Sequence, residues 1–285
     1  MKLAISNLSW ESKYDDIMFQ YLYRHGISLE VVPSRIFRWE ESSISNRMVS
    51  PFEHFSEAAD WYRIVNTHYG INIASMHSLL YNIDADLFET VTYRRYLTDY
   101  LQRAIQFAAR INCPNLCFGC GANRRIPVGM TGDQARKIAL EFFGDLAVYA
   151  YENGICLSLE PIPESAGTHF INTTLEAMDF VKEISNPGFR VCVSMGTIIE
   201  NDEDISKIFT KENLSLINHI HISEPGLAPL EQRDIYVKTA DLLKDLDYSR
   251  YVSVEMLQFP DVKLIQGAVN YFETLFLGRS GNVQW

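Results

Sequence analysis

The chain has 285 residues, of which 47% are hydrophobic and 21% charged, the composition of a globular protein able to bury a large core and not of a disordered one. Its formal net charge is −11, with no basic run longer than the Arg124-Arg125 pair, which speaks against nucleic acid as a partner. No stretch approaches the roughly 18 apolar residues of a membrane span, and the Met1 to Asn7 start lacks the apolar core of a signal peptide, so a cytoplasmic protein without a membrane partner is expected.

The length suits the ~250 residues of an α/β barrel, and no composition break divides the chain, so residues 1–285 are expected to form one domain. Five cysteines, an odd number without a secretory signal, argue for reduced thiols. Cys113, Cys117 and Cys120 have the C-x3-C-x2-C spacing of an iron–sulfur ligand set. They straddle a mid-chain strand, however, which favours Cys117 as a small core residue.

Short apolar runs alternate with longer amphipathic segments, the pattern of repeated βα units around a parallel sheet. In chain order, strands are expected near 2–7, 28–32, 72–77, 115–119, 156–160, 189–194, 217–222 and 251–255. Helices are expected near 14–25, 55–69, 93–111, 133–153, 174–185, 204–212, 234–246 and 262–277. Ile138, Ala139, Phe142, Leu146 and Ala150 share one helical face, as do Ile265, Ala268, Val269, Phe272 and Phe276. Thr131 with Gln134, and Thr173 with Glu176, have capping-box spacing. Gly26, Gly70 and Gly154 stand where helices should stop. The segment from Pro33 to Pro51 is the longest irregular piece and reads as a lid or binding loop. The fold class is therefore α/β, a single (β/α)8 TIM barrel.

Catalytic groups of such barrels gather where the strands end. In strand five Leu157 and Leu159 oppose Cys156, Ser158 and Glu160. In strand six Val191 and Val193 oppose Cys192 and Ser194. In strand seven Ile220 and Ile222 oppose His219, His221 and Ser223, and in strand eight Val252, Val254 and Met256 oppose Tyr251, Ser253 and Glu255. The apolar set faces the helices, so Glu160, Ser194, His221 and Glu255 point inward at one mouth. By the same parity Asn7 and His77 join the rim. Burying two carboxylates beside two or three imidazoles is costly unless they are paired or bind a cation, so a reaction centre is expected there.

These segments, Leu3-Ala4-Ile5-Ser6-Asn7, Ser158-Leu159-Glu160-Pro161, His219-Ile220-His221-Ile222-Ser223-Glu224-Pro225 and Val252-Ser253-Val254-Glu255-Met256, together resemble the xylose isomerase-like barrel superfamily of sugar phosphate isomerases and epimerases. The resemblance spans the chain. It implies a small-molecule carbohydrate substrate, no nucleotide cofactor, and proton transfer next to a carbonyl by Glu160 and Glu255. It also implies a divalent metal, Mn²⁺, Mg²⁺ or Zn²⁺, held by Glu160, His221 and Glu255. Ser194 stands where the family has an aspartate ligand and Thr197 where many members have a histidine. Asn123-Arg124-Arg125 resembles a substrate-contacting loop, with Arg124 suited to a phosphate or carboxylate. Relatives are often homo-oligomers. A lyase, dehydratase or biosynthetic tailoring enzyme on the same scaffold, or a non-catalytic sugar-binding derivative lacking the strand-six aspartate, are the alternatives.

Each residue has a plainer reading. Glu160 and Glu255 could anchor loops, and His219, one layer below His221, reads as structural. Arg124 could be a solvated cation. Glu30 lies on strand two with its direction undetermined. The acidic run from Glu200 to Asp204 suits a helix start.

Overall fold

The computed structural model describes residues 1–36, 52 and 55–278. Eight strands, β1 (Lys2–Ser6), β2 (Ser28–Val31), β3 (Ile73–Met76), β4 (Asn115–Phe118), β5 (Cys156–Leu159), β6 (Phe189–Ser194), β7 (Ile217–Ile222) and β8 (Tyr251–Val254), form a closed barrel in sequence order. All neighbours run parallel, and β1 closes the ring against β8 with Ala4 opposite Ser253. The helices are α1 (Asp15–His25), α2 (Phe55–Arg63), α3 (Val91–Arg110), α4 (Gly132–Glu152), α5 (Thr174–Ile184), α6 (Met195–Glu200), α7 (Ile205–Ile208), α8 (Asp234–Asp245) and α9 (Val262–Leu277). The expected (β/α)8 barrel is therefore present.

Side-chain alternation explains why this sequence closes. Leu157, Leu159, Val191, Val193, Ile220, Ile222, Val252 and Val254 are all fully buried, and apolar helix faces cover the sheet. Phe143 of α4 sits edge-on to Phe118 of β4 and Phe180 of α5, with ring centroids 5.1 and 6.0 Å away, and lies tilted against Phe189 at 5.2 Å. Both capping boxes form: Thr131 and Thr173 accept from the amides of Gln134 and Glu176, whose side chains return the bond. Gly26 ends α1 in the left-handed region, at φ 64°, where a Cβ would be strained.

Two departures bear on the site. The helix expected at 204–212 is the single turn α7, and an unforeseen helix, α6, follows β6 without a loop. Ser194 is thus the last strand residue and also the N-cap, accepting from the Thr197 amide at 3.5 Å. The pairing of β2 with β3 shifts by one residue between Leu29 and Glu30, and that of β6 with β7 between Val191 and Cys192. From residue 37 on, the expected Pro33–Pro51 lid lies outside the described residues. Among the described residues, no helix is long and apolar enough to cross a membrane.

Candidate active site in the barrel mouth

His221 is fully buried in the barrel and touches three carboxylates. Its Nδ1 lies 3.0 Å from Glu160 Oε1 and 3.1 Å from Glu255 Oε2, and its Nε2 lies 3.1 Å from Glu30 Oε1. Two further imidazoles complete the cluster. His77 Nδ1 is 3.1 Å from the other Glu255 oxygen, and its Nε2 meets Ser6 Oγ at 2.6 Å. His219 Nε2 lies 2.7 Å from Ser253 Oγ and 3.3 Å from Glu30 Oε1. Three carboxylates and three imidazoles thus share the lumen, with His221 between all three carboxylates.

Burial alone would favour the neutral form of each group, but the pairing outweighs it. Although burial pushes the Glu255 carboxyl up, His221 and His77 hold it far below the ordinary carboxylate range. Glu30 is treated likewise by His221 and His219. Burial pushes the His221 imidazole down, yet Glu255, Glu30 and Glu160 raise it well above its usual value. His77 is raised mainly by Glu255 against the same opposing burial. Only an imidazolium donates from both nitrogens, as three surrounding carboxylates require of His221.

Above this cluster a cavity of about 380 Å³ opens between the loops that follow the strands, bounded by His77, Glu160, Ser194, Thr197, Ser223, Glu224 and Glu255 among others. Oxygens 3.0 and 3.1 Å from one shared nitrogen can be separated by no more than the sum of the two, so Glu160 and Glu255 can reach one small molecule. Glu224 pairs from behind with Arg233 Nε, 2.7 and 2.9 Å from its two oxygens, and accepts from the Tyr236 hydroxyl at 2.9 Å.

Of the other expected site residues, His77 and Ser194 line this cavity. Asn7, Asn123 and Arg124 do not. Asn7 Oδ1 accepts from the Val32 amide at 2.8 Å, tying β1 to the loop after β2. Asn123 donates to the carbonyls of Ile83 and Ala85, each at 2.8 Å. Arg124 is fully buried, which rules out a solvated loop cation, and Nη2 donates to the Glu160 carbonyl at 2.8 Å. Its place is behind Glu160, holding the backbone that carries the carboxylate. Among the described residues the cavity wall carries no lysine or arginine.

Three lumen residues carry little or no role on sequence grounds: Glu30 is only a weak candidate, and neither Cys117 nor Cys192 is assigned to the site. Glu30 is fully buried at the centre of the cluster. The alternation Ser28-Leu29-Glu30-Val31 was the available signal, but a four-residue strand with a register shift beside Glu30 gives pattern reasoning little to hold. Cys117, expected as packing, points into the lumen with Sγ 3.4 Å from Glu160 Oε2, and Cys192 joins it. Cys113 instead donates to the Asn115 carbonyl, so the C-x3-C-x2-C trio does not converge.

The four-ligand metal set implied by the resemblance is not completed by the residues present. Ser194 supplies no anionic oxygen, and its hydroxyl is engaged with Ser223 Oγ at 3.4 Å and with the start of α6. The Thr197 hydroxyl donates to the Pro161 carbonyl at 3.0 Å. Among the described residues, the donor atoms that do lie within 4.8 Å of one another belong to Cys117, Glu160, Cys192 and His221, and separately to Glu30, His219 and His221.

Two predictions follow from the packing and charge of this cluster. A Cβ on Gly119 would fall 2.1 Å from Glu160 Oε2, whereas one on Gly144 within α4 would meet nothing within 4 Å. Gly119→Ala should therefore destabilise by about 1–3 kcal/mol through overpacking, and Gly144→Ala should stabilise by up to ~1 kcal/mol through helix propensity; urea unfolding compares them. The second concerns pH. Carboxyls with lowered pKa contribute stability above their unfolded value, about 4.3, and lose it as pH falls; imidazoles with raised pKa contribute it below about 6.5 and lose it as pH rises through their folded values. In chelator-treated protein, the stability of the wild type over Glu255→Gln should peak between those two pH values and shrink on both sides. A difference that is flat from pH 4 to 9 would contradict the pairing.

The profile of the xylose isomerase-like TIM barrel family matches residues 30–275. No curated protein matches the sequence. Among solved structures, the chain is similar to a 3-keto-D-glucoside 4-epimerase from E. coli, with a TM-score of 0.75 at 14% identity over 96% of this chain and 99% of the other. It is similar also to a D-psicose 3-epimerase from Clostridium cellulolyticum H10 in a structure with D-tagatose, at 0.73 and 16% over 97% and 99%. An AP endonuclease, family 2, from Brucella melitensis gives 0.71 and 15% over 95% and 98%. At these identities the structural likeness establishes the fold, and the sequence profile establishes the kinship: the chain belongs to the xylose isomerase-like TIM barrel family.

Proposed function

We propose that this protein is a sugar epimerase or isomerase that moves a proton between carbons adjacent to a carbonyl, with Glu160 and Glu255 as its acid–base pair. The observation that carries this reading is the placement of two carboxylates on one buried imidazole, both edging a cavity whose volume, about 380 Å³, lies in the range of roughly 300–1,000 Å³ usual for small ligands. The epimerase names among the structural neighbours support the same class.

Each group has a role that its surroundings support. Glu255 is held ionised by His221 and His77, so it starts as a proton acceptor, and Glu160 exchanges a proton at the substrate's other side. Positioned acid–base groups of this kind contribute on the order of 10²–10⁴-fold. An oxyanion forming on the substrate carbonyl needs a fixed positive charge or donor in a site with little water. Here Glu255 and its fellow carboxylates raise the His221 and His77 imidazoles, and of the two His77 lines the cavity.

The wall also favours a substrate class. It offers the hydroxyls of Ser165, Ser194, Thr197 and Ser223 beside several carboxylates, while Arg124, the expected anion partner, is buried outside the cavity lining. An uncharged polyhydroxy compound fits this lining better than a sugar phosphate or sugar acid, and nucleic acid, with its continuous phosphates, fits a chain of net charge −11 poorly.

Deuterium wash-in from solvent into a panel of unphosphorylated ketoses tests the proposal. At least one should incorporate deuterium next to its carbonyl, and Glu160→Gln and Glu255→Gln should each slow exchange by about 10²-fold or more. A ketose that binds measurably but exchanges nothing would instead support the sugar-binding derivative.

A further inference from the structure

The barrel lumen holds a donor set that differs from the family's. Four consecutive strands each supply one atom: Cys117 from β4, Glu160 from the end of β5, Cys192 from β6 and His221 from β7, and these atoms all lie within 4.8 Å of one another. Cys117 Sγ is 3.4 Å from one Glu160 oxygen and His221 Nδ1 is 3.0 Å from the other. A tetrahedral ion with metal–sulfur bonds near ~2.3 Å and metal–nitrogen or metal–oxygen bonds near ~2.1 Å separates its donors by about 3.4–3.8 Å. The lumen atoms therefore need only small adjustments to surround one.

Position within the strands gives the set its meaning. Cys192 lies two residues before Ser194 on the same inward face of β6, one layer deeper than the place of the missing aspartate. We propose that these four side chains form a zinc site, sunk one layer into the barrel relative to the ligand set implied by the family resemblance. Two thiolates, an imidazole and a carboxylate are a borderline-soft set that suits tetrahedral Zn²⁺ and suits Mg²⁺ and Mn²⁺ poorly.

The surroundings are those of a prepared ligand sphere. Glu30 Oε1 sits 3.1 Å from His221 Nε2, the carboxylate behind a ligating histidine that fixes its tautomer and frees Nδ1 for the ion. Gly119 leaves the space that the Glu160 carboxylate occupies, and Arg124 holds the Glu160 carbonyl at 2.8 Å. A carboxylate that ligates through one oxygen keeps the other for a substrate, so the site is compatible with proton transfer while depending on no particular substrate.

The test uses the full-length protein purified without chelator, then stripped and reloaded with Zn²⁺ or Co²⁺ alone. One equivalent of zinc per chain is expected, and the cobalt form should show a thiolate-to-cobalt charge-transfer band together with the visible absorption of a tetrahedral ion. Cys117→Ser and Cys192→Ser should each cut the intensity of that band roughly in half, and the double variant should remove it. Glu30→Gln should weaken zinc binding about 10–100-fold, and Glu255→Gln should leave stoichiometry and band in place. Absence of bound zinc, a cobalt form without sulfur character, or an ion lost in Glu255→Gln but retained in both cysteine variants would overturn the proposal. The wild-type cobalt spectrum decides the question even if a variant does not fold.

Discussion

Three carboxylates enclosed in a barrel of low polarity cannot all stay ionised unless something positive lies among them, and the rest of the site depends on how that requirement is met. His221 meets it, with Glu160 and Glu255 on one nitrogen and Glu30 on the other. Removing one partner from a buried ionic cluster of this kind leaves a stranded charge and costs roughly 3–5 kcal/mol. The cluster therefore fixes where the carboxylates point more tightly than packing alone would. That rigidity is what a proton-transfer site needs, since positioning to within a fraction of an ångström governs the rate.

Around this hub the molecule separates support from contact. Asn7 and Asn123 bond backbone groups of the loops around the mouth, and Arg124 gives Nη2 to the Glu160 carbonyl while its buried Nε and Nη1 have no hydrogen-bond partner among the described residues; His77, Ser194, Glu160 and Glu255 face the cavity. Loss of the family's strand-six aspartate is absorbed structurally: Ser194 caps α6 and Thr197 anchors the loop after β5. The chemistry of the lumen shifts downward accordingly, toward the thiols of Cys117 and Cys192. Burial drives these well above an ordinary cysteine, Cys192 to about 12, so without an ion they are neutral.

The barrel was legible because its alternation is enforced everywhere by helices packed on the outside; each strand lies within a residue or two of its expected span. Glu160, His221 and Glu255 were legible for the same reason, each being the last inward member of a strand whose outward members are aliphatic. What escaped has local causes. α6 is six residues long, is capped by the last residue of β6 and contains Gly196 and the β-branched run Thr197-Ile198-Ile199, so it carries no helical signature. Glu30 and Cys192 both stand beside a one-residue register shift, where parity cannot predict what a side chain meets across the barrel. Asn7 was expected at the rim by strand parity and Arg124 by the resemblance of its loop; only three-dimensional contacts reveal that Asn7 bonds the Val32 amide and that Arg124 is buried behind Glu160.

The central claim is that the ion-free lumen carries its positive charge on His221. Nitrogen NMR of the imidazole rings in chelator-treated, isotopically labelled protein addresses it directly. At pH 7 both ring nitrogens of His221 should show the shifts of a protonated imidazolium. A neutral ring with a single protonated nitrogen at that pH would contradict the account, because the three carboxylates would then have no shared cation to hold them together.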